Sequence, residues 1–237
     1  MKKTVAIIAI LLNLIICSVP ALAKSYPLPD VNTDAEIIFQ GFDWYTDYND
    51  TLKAVSGRGI EYDDDWILNN FELDNSRAAH WQVLLNSVWN GAEKGCGGYL
   101  HLYKNIPDVA GYRIDELNLY MMFNPEKGAT EKFKDPDAVQ FYMAKYKFDV
   151  TDNIACYQDI VTKLKKLYGE KPESGEDWGT KYSIWVNSQG GLVGISCDQF
   201  FVELLYMAPG AEDRLTNLEL DIAAKEIENA AEDMSGL

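Results

Sequence analysis

Histidine is nearly missing from this chain: His80 and His101 are the only two in 237 residues. Imidazole is the side chain whose ordinary pKa lies nearest neutrality, and it is a common metal ligand. Its scarcity narrows the routes to acid–base or zinc chemistry. No HxxxH or HExxH spacing joins the two histidines, no GxSxG or SxxK string marks a serine nucleophile, and no cysteines stand as CxxC. These are the signatures by which zinc peptidases, serine hydrolases and thiol redox proteins are read. No cofactor or nucleotide signature is present either. Basic residues are also in short supply, 21 against 37 acids, for a net charge of −16. Such a surface repels phosphate backbones and excludes ordinary nucleic-acid binding; it also disfavours docking on anionic lipid. Beyond residue 17 no apolar run approaches the roughly 20 residues that a spanning helix needs.

The N-terminus carries the strongest local pattern. Lys2 and Lys3 precede an apolar run from Val5 to Cys17, interrupted only by Asn13, and Pro20 leads into Ala21-Leu22-Ala23. This is the basic, apolar and small-residue order of a cleavable signal peptide. Leu14-Ile15-Ile16-Cys17 offers lipidation as an alternative, but lipobox processing wants a small residue where bulky Ile16 stands; an uncleaved anchor would need a longer run. Cleavage after Ala23 is therefore expected, giving an extracytoplasmic (secreted or periplasmic) protein that does not span the membrane after processing. Loss of residues 1–23 removes two lysines and takes the net charge from −16 to −18. Cys96, Cys156 and Cys197 remain, an odd number that allows at most one internal bridge. The hydrophobic fraction of 47% is that of a globular chain.

Hydrophobic periodicity predicts an α+β fold with antiparallel sheet packed against helices. Residues 24–36, with Pro27 and Pro29, read as an extended lead-in. A short helix, capped by Thr46, is expected to about Val55, a loop over 58–74, and a helix from Asn75 to Trp89. Gly91, Gly95, Gly97 and Gly98 then read as a break. Strands are expected at Tyr99–Tyr103, at Gly111–Phe123 with Leu117, Leu119, Met121 and Phe123 on one face, and at Phe141–Asp149 with Tyr142, Ala144, Tyr146 and Phe148 on one face. The clearest helix spans Asn153–Tyr168, its stripe including Ile154, Tyr157, Ile160, Leu164, Leu167 and Tyr168, with Gly169 as its stop. A polar loop containing Pro172, Gly175 and Gly179 follows, then a meander of Tyr182–Asn187, Leu192–Cys197 and Phe200–Tyr206, and a last helix over 211–234. Helix followed by three strands occurs twice, which is consistent with two modules at 24–150 and 151–237, although the halves share no residue-by-residue identity.

Phe39-x-Gly41-Phe42-x-Trp44, Val109-Ala110-Gly111-Tyr112, the Tyr146-Lys147-Phe148 strand and the Leu167-Tyr168-Gly169 helix end resemble features of uncharacterised secreted bacterial proteins. The helix-then-meander order resembles the small modules of β-lactamase inhibitory proteins and of the BamE outer-membrane assembly lipoproteins. The resemblance implies a module that binds another protein or holds an envelope complex together. It carries no active-site residues.

His80, His101 and Cys96 could form a zinc site, but their spacing fits no zinc pattern. Cys96 with His101 would be a nucleophile–base pair, yet five residues along a strand is a poor approach for one, and a Gly-rich turn explains Gly-Cys-Gly-Gly more simply. Asp63-Asp64-Asp65 lacks the alternation of a calcium loop. A glycan hydrolase needs only two facing carboxylates, so 37 acids choose nothing. Exposed aromatics could stack on sugars or anchor a protein partner. Trp178, in the Glu-Asp-Trp-Gly stretch, and Trp185, expected to point away from the core if Tyr182, Ile184 and Val186 face it, are the candidate binding residues. The expected function is a non-enzymatic module binding a protein partner in the cell envelope, with a carboxylate hydrolase or an aromatic-lined carbohydrate-binding protein as rivals.

Overall fold

The computed structural model describes residues 28–62, 97–124, 139–177, 179–218, 220, 221, 224 and 228. The expected signal peptide, Cys17, Asp63-Asp64-Asp65, the helix over 75–89 with His80, Cys96, most of the 124–137 turn, Trp178 and most of the last helix beyond 218 lie outside the described residues.

The fold is α+β, as the patterning predicts: among the described residues three helices accompany a seven-stranded sheet. Helix α1 (Tyr48–Gly57) precedes strands β1 (Gly97–Leu102), β2 (Ile114–Phe123) and β3 (Val139–Phe148); α2 (Asn153–Tyr168) precedes β4 (Glu173–Asp177), β5 (Thr180–Val186), β6 (Leu192–Cys197) and β7 (Val202–Met207). A third helix, α3, starts at 211. The sheet order is β1-β2-β3-β7-β6-β5-β4, and each neighbouring pair is antiparallel. Residues on both sides of position 150 thus build one continuous sheet. Two meanders meet where β3 pairs with β7, Ala144 opposite Tyr206 and Tyr146 opposite Leu204.

One sheet face collects Leu100, Leu117, Leu119, Ala144, Tyr146, Leu204, Ile195 and Trp185, all buried. Helix α2 lies over the β5–β7 part of this face: the Tyr157 and Ser183 hydroxyls are 2.9 Å apart, and Trp185 Nε1 donates to the Gly169 carbonyl at 2.8 Å. Over β3, the N-terminal segment contributes a ring cluster in which Phe39 meets Phe141, Tyr146 and Tyr206, and Trp44 stacks on Phe141 at 5.1 Å. Gly41 sits at φ +76°, where a Cβ would strike the Arg58 side chain that lies over the Phe42 ring. The other face is buried at its centre as well, with Met143, Leu205, Met207, Leu192 and Ile184 inaccessible.

Several local expectations need correction. Asp47, not Thr46, caps α1, its carboxylate accepting from Asp50 N, while Thr46 Oγ1 donates to the Asp43 carbonyl. Gly97 and Gly98 belong to β1 rather than breaking the chain before it. Residues 109–112 form a tight turn, Val109 and Tyr112 exchanging backbone bonds at 2.9 Å, so β2 starts only at Ile114. A bulge opposite Tyr120–Met121 pairs Met121 with Phe141 and makes Tyr142 the extra residue. On α2 the buried row is Cys156, Ile160, Leu164 and Tyr168; Ile154 and Leu167 face solvent. The polar loop before β5 contains β4, an edge strand whose sequence Glu-Ser-Gly-Glu-Asp has no apolar alternation because an edge needs none.

Candidate functional site

Trp185 is not available to a ligand. Its ring is fully buried, 6.5 Å from the Tyr168 ring, under the end of α2. The expectation of an outward ring assumed a sheet covered on one side; here both sides are covered, so alternation along β5 no longer separates core from surface. Trp178 lies outside the described residues.

The exposed aromatic that stands out is Phe200, 74% accessible in the turn joining β6 to β7. This turn is braced. Asp198 Oδ1 accepts from Phe200 N at 2.7 Å and from Phe201 N at 2.9 Å, and Asp198 N donates to the Phe201 carbonyl. Asn153 Nδ2, in the first turn of α2, donates to the Asp198 carbonyl at 3.1 Å and ties the turn to the helix. Beside it opens a cleft of about 500 Å³ lined by Thr151, Asp152, Ile154, Lys181, Cys197 and Gln199 among others. Ile154 is 42% exposed on its wall. An apolar ring, an apolar wall and a hollow therefore share one end of the sheet.

Asp152, Asn153, Asp198 and Cys197 hold structure in place at the cleft. Asp152 caps α2 by accepting from Ala155 N at 3.0 Å. Asp198 is spent on the turn. The Cys197 thiol is buried and donates to the Asp198 carbonyl at 3.6 Å; burial, reinforced by Asp198, raises its pKa, so it is held as a thiol. Among the described residues, no group of three or more His, Cys, Asp or Glu side chains converges as a metal site. His101, on β1, places Nδ1 2.8 Å from Asn118 Oδ1 on β2, a cross-strand contact.

Sequence reading missed the buried ion pair of Lys145 and Glu203, on the sheet face opposite α2. The signal was present: Lys145 and Lys147 alternate with Ala144, Tyr146 and Phe148, and Glu203 interrupts an apolar run from Phe200 to Met207. Phe200, expected as the first residue of the last strand of the meander, lies outside it, because β7 begins only at Val202. No known protein-family model, curated protein or solved structure matches the chain.

Proposed function

We propose that this protein is an exported, non-enzymatic module that binds a protein partner in the cell envelope, using the Phe200 turn and the adjoining cleft. The observation that carries the reading is the accessible Phe200 ring on a turn fixed by four hydrogen bonds. A large ring left in water gains free energy when covered, and a pre-ordered turn loses little entropy on docking. Aromatic anchors of this kind carry much of the energy of protein interfaces. The acidic chain favours a partner whose contact surface is apolar with a basic rim. The helix-then-meander order, which resembles modules of β-lactamase inhibitory and BamE proteins, supports the same reading, and the basic–apolar–small N-terminus supports export.

A photo-crosslinking residue placed at 200 tests it in cells that make the protein. The expected result is a discrete adduct with one envelope protein, absent from a probe at exposed Lys171 and competed by excess unlabelled protein but not by the Phe200→Asp form. Equal labelling from both positions, or no adduct from 200, would overturn it.

A further inference from the structure

We infer that Cys156 and Cys197 are a disulfide-forming pair that staples α2 to β6. Their placement carries the inference. Cys156 lies on the buried row of α2, and Cys197 ends β6 on the sheet face that α2 covers. Each is 1% exposed. Two contacts bracket them. Asn153, one helical turn before Cys156, donates to the carbonyl of Asp198, the residue after Cys197. Tyr157, the residue after Cys156, meets Ser183 on the strand that pairs with β6, two positions along from Lys181, the direct partner of Cys197. The helix is thus clamped in register with both thiols directed into one layer, and Cys197 helps to raise the pKa of the Cys156 thiol. No other described cysteine competes; both are free thiols in this structure.

The reaction is thiol–disulfide exchange with a small-molecule or protein disulfide. One thiolate attacks the oxidant's sulfur, giving a mixed disulfide and one released thiol. The second thiolate then displaces the oxidant's remaining sulfur. The two cysteines lose two electrons and two protons, and the oxidant's disulfide becomes two thiols. Because both sulfurs are buried and held protonated, exchange takes place while the chain folds, or when the first turn of α2 opens, rather than in the closed protein. The bond would close a long loop of the unfolded chain and so favour the folded state.

The test is oxidative refolding of the full chain in a mixture of oxidised and reduced glutathione, followed by alkylation and non-reducing tryptic mapping. The expected product is the peptide of residues 148–163 joined to that of residues 182–214, with the loss of two hydrogens in intact mass. The oxidised protein should also unfold at higher denaturant than the reduced one, a difference absent in both Cys156→Ser and Cys197→Ser. Recovery of both peptides alkylated, or either one joined to the Cys96 peptide, would overturn the inference. So would an oxidised–reduced difference that persists in both variants.

Discussion

Lys145 Nζ lies 2.9 Å from Glu203 Oε1 between the adjacent strands β3 and β7, with the two side chains only 13% and 6% exposed. Glu203 Oε2 is buried without a hydrogen-bond partner among the described residues, and burial raises the Glu203 pKa while Lys145 opposes that rise. The pair is held by mutual need rather than by a large net gain. Removing one partner of a buried pair strands a charge at about 3–5 kcal/mol, whereas replacing both by apolar residues is often neutral or stabilising by about 1–4 kcal/mol. Lys145→Met alone should therefore lower the urea midpoint sharply, and Lys145→Met with Glu203→Leu should recover it. A double variant as unstable as the single one would show that shape, not charge, governs the site.

Phe200 and Trp185 make opposite predictions from the same residue class. Phe200→Ser removes a ring from solvent and should change stability by about 0.5 kcal/mol or less, while abolishing the crosslinkable contact. Trp185→Ala empties a site under α2 and should cost about 3–5 kcal/mol. Trp185→Phe keeps most of the volume but leaves the Gly169 carbonyl without its donor, so a loss of about 1 kcal/mol is expected from the bond itself. Denaturant titration of the three variants checks the order.

What the sequence made legible follows from how one-sided each element is. Helix α2 shows its period clearly, and its bounds coincide with the expected Asn153–Tyr168 because Asp152 and Gly169 punctuate both ends. Strands β5 to β7 were visible as apolar runs separated by turn residues. Their facing was not, because β6 is buried along its whole length and so does not alternate. Edge strand β4 carries no apolar signal at all. The candidate surface was hidden for a related reason: Phe200 adjoins Phe201 and the apolar run of β7, and only the hydrogen bonds of Asp198 reveal that it stands outside the strand.

In the reduced protein, burial pushes the Cys156 thiol up to about 11, with Asp159 and Cys197 adding to the rise. The sign follows from which form the fold prefers. The fold favours the protonated thiol, so this contribution is fully present below the unfolded thiol's value of about 8.5. It is lost as pH rises through about 11. Reduced wild type should therefore lose stability over that window more steeply than reduced Cys156→Ala, as read by denaturant midpoints at successive pH values. Parallel curves would show that Cys156 ionises as freely in the folded chain as in the unfolded one.

Asn187 fastens the N-terminal segment to the sheet, and its loss should be felt far from position 187. It is 4% exposed. Its Oδ1 accepts from Gln189 N at 3.1 Å and from Gly191 N at 2.9 Å, shaping the β5–β6 turn, while Nδ2 donates to the Ala35 carbonyl at 3.3 Å. Nearby, Asn32 Oδ1 accepts from Val186 N, and Asn32 N and Thr33 N both donate to the Val186 carbonyl. Asn187→Ala leaves the turn amides and one lead-in carbonyl unpaired, each stranded group costing about 1–3 kcal/mol where water cannot replace the bond. The segment over 28–37 then keeps the Asn32 anchor but loses its neighbour, so cleavage within it under limited proteolysis should accelerate well before global unfolding. Asn187→Asp separates the two roles. The carboxylate still accepts from both turn amides but cannot donate to Ala35, so it should preserve the turn and reproduce only the proteolytic sensitivity. Equal resistance of wild type and Asn187→Ala would show that the lead-in is held by Asn32 and its buried side chains alone.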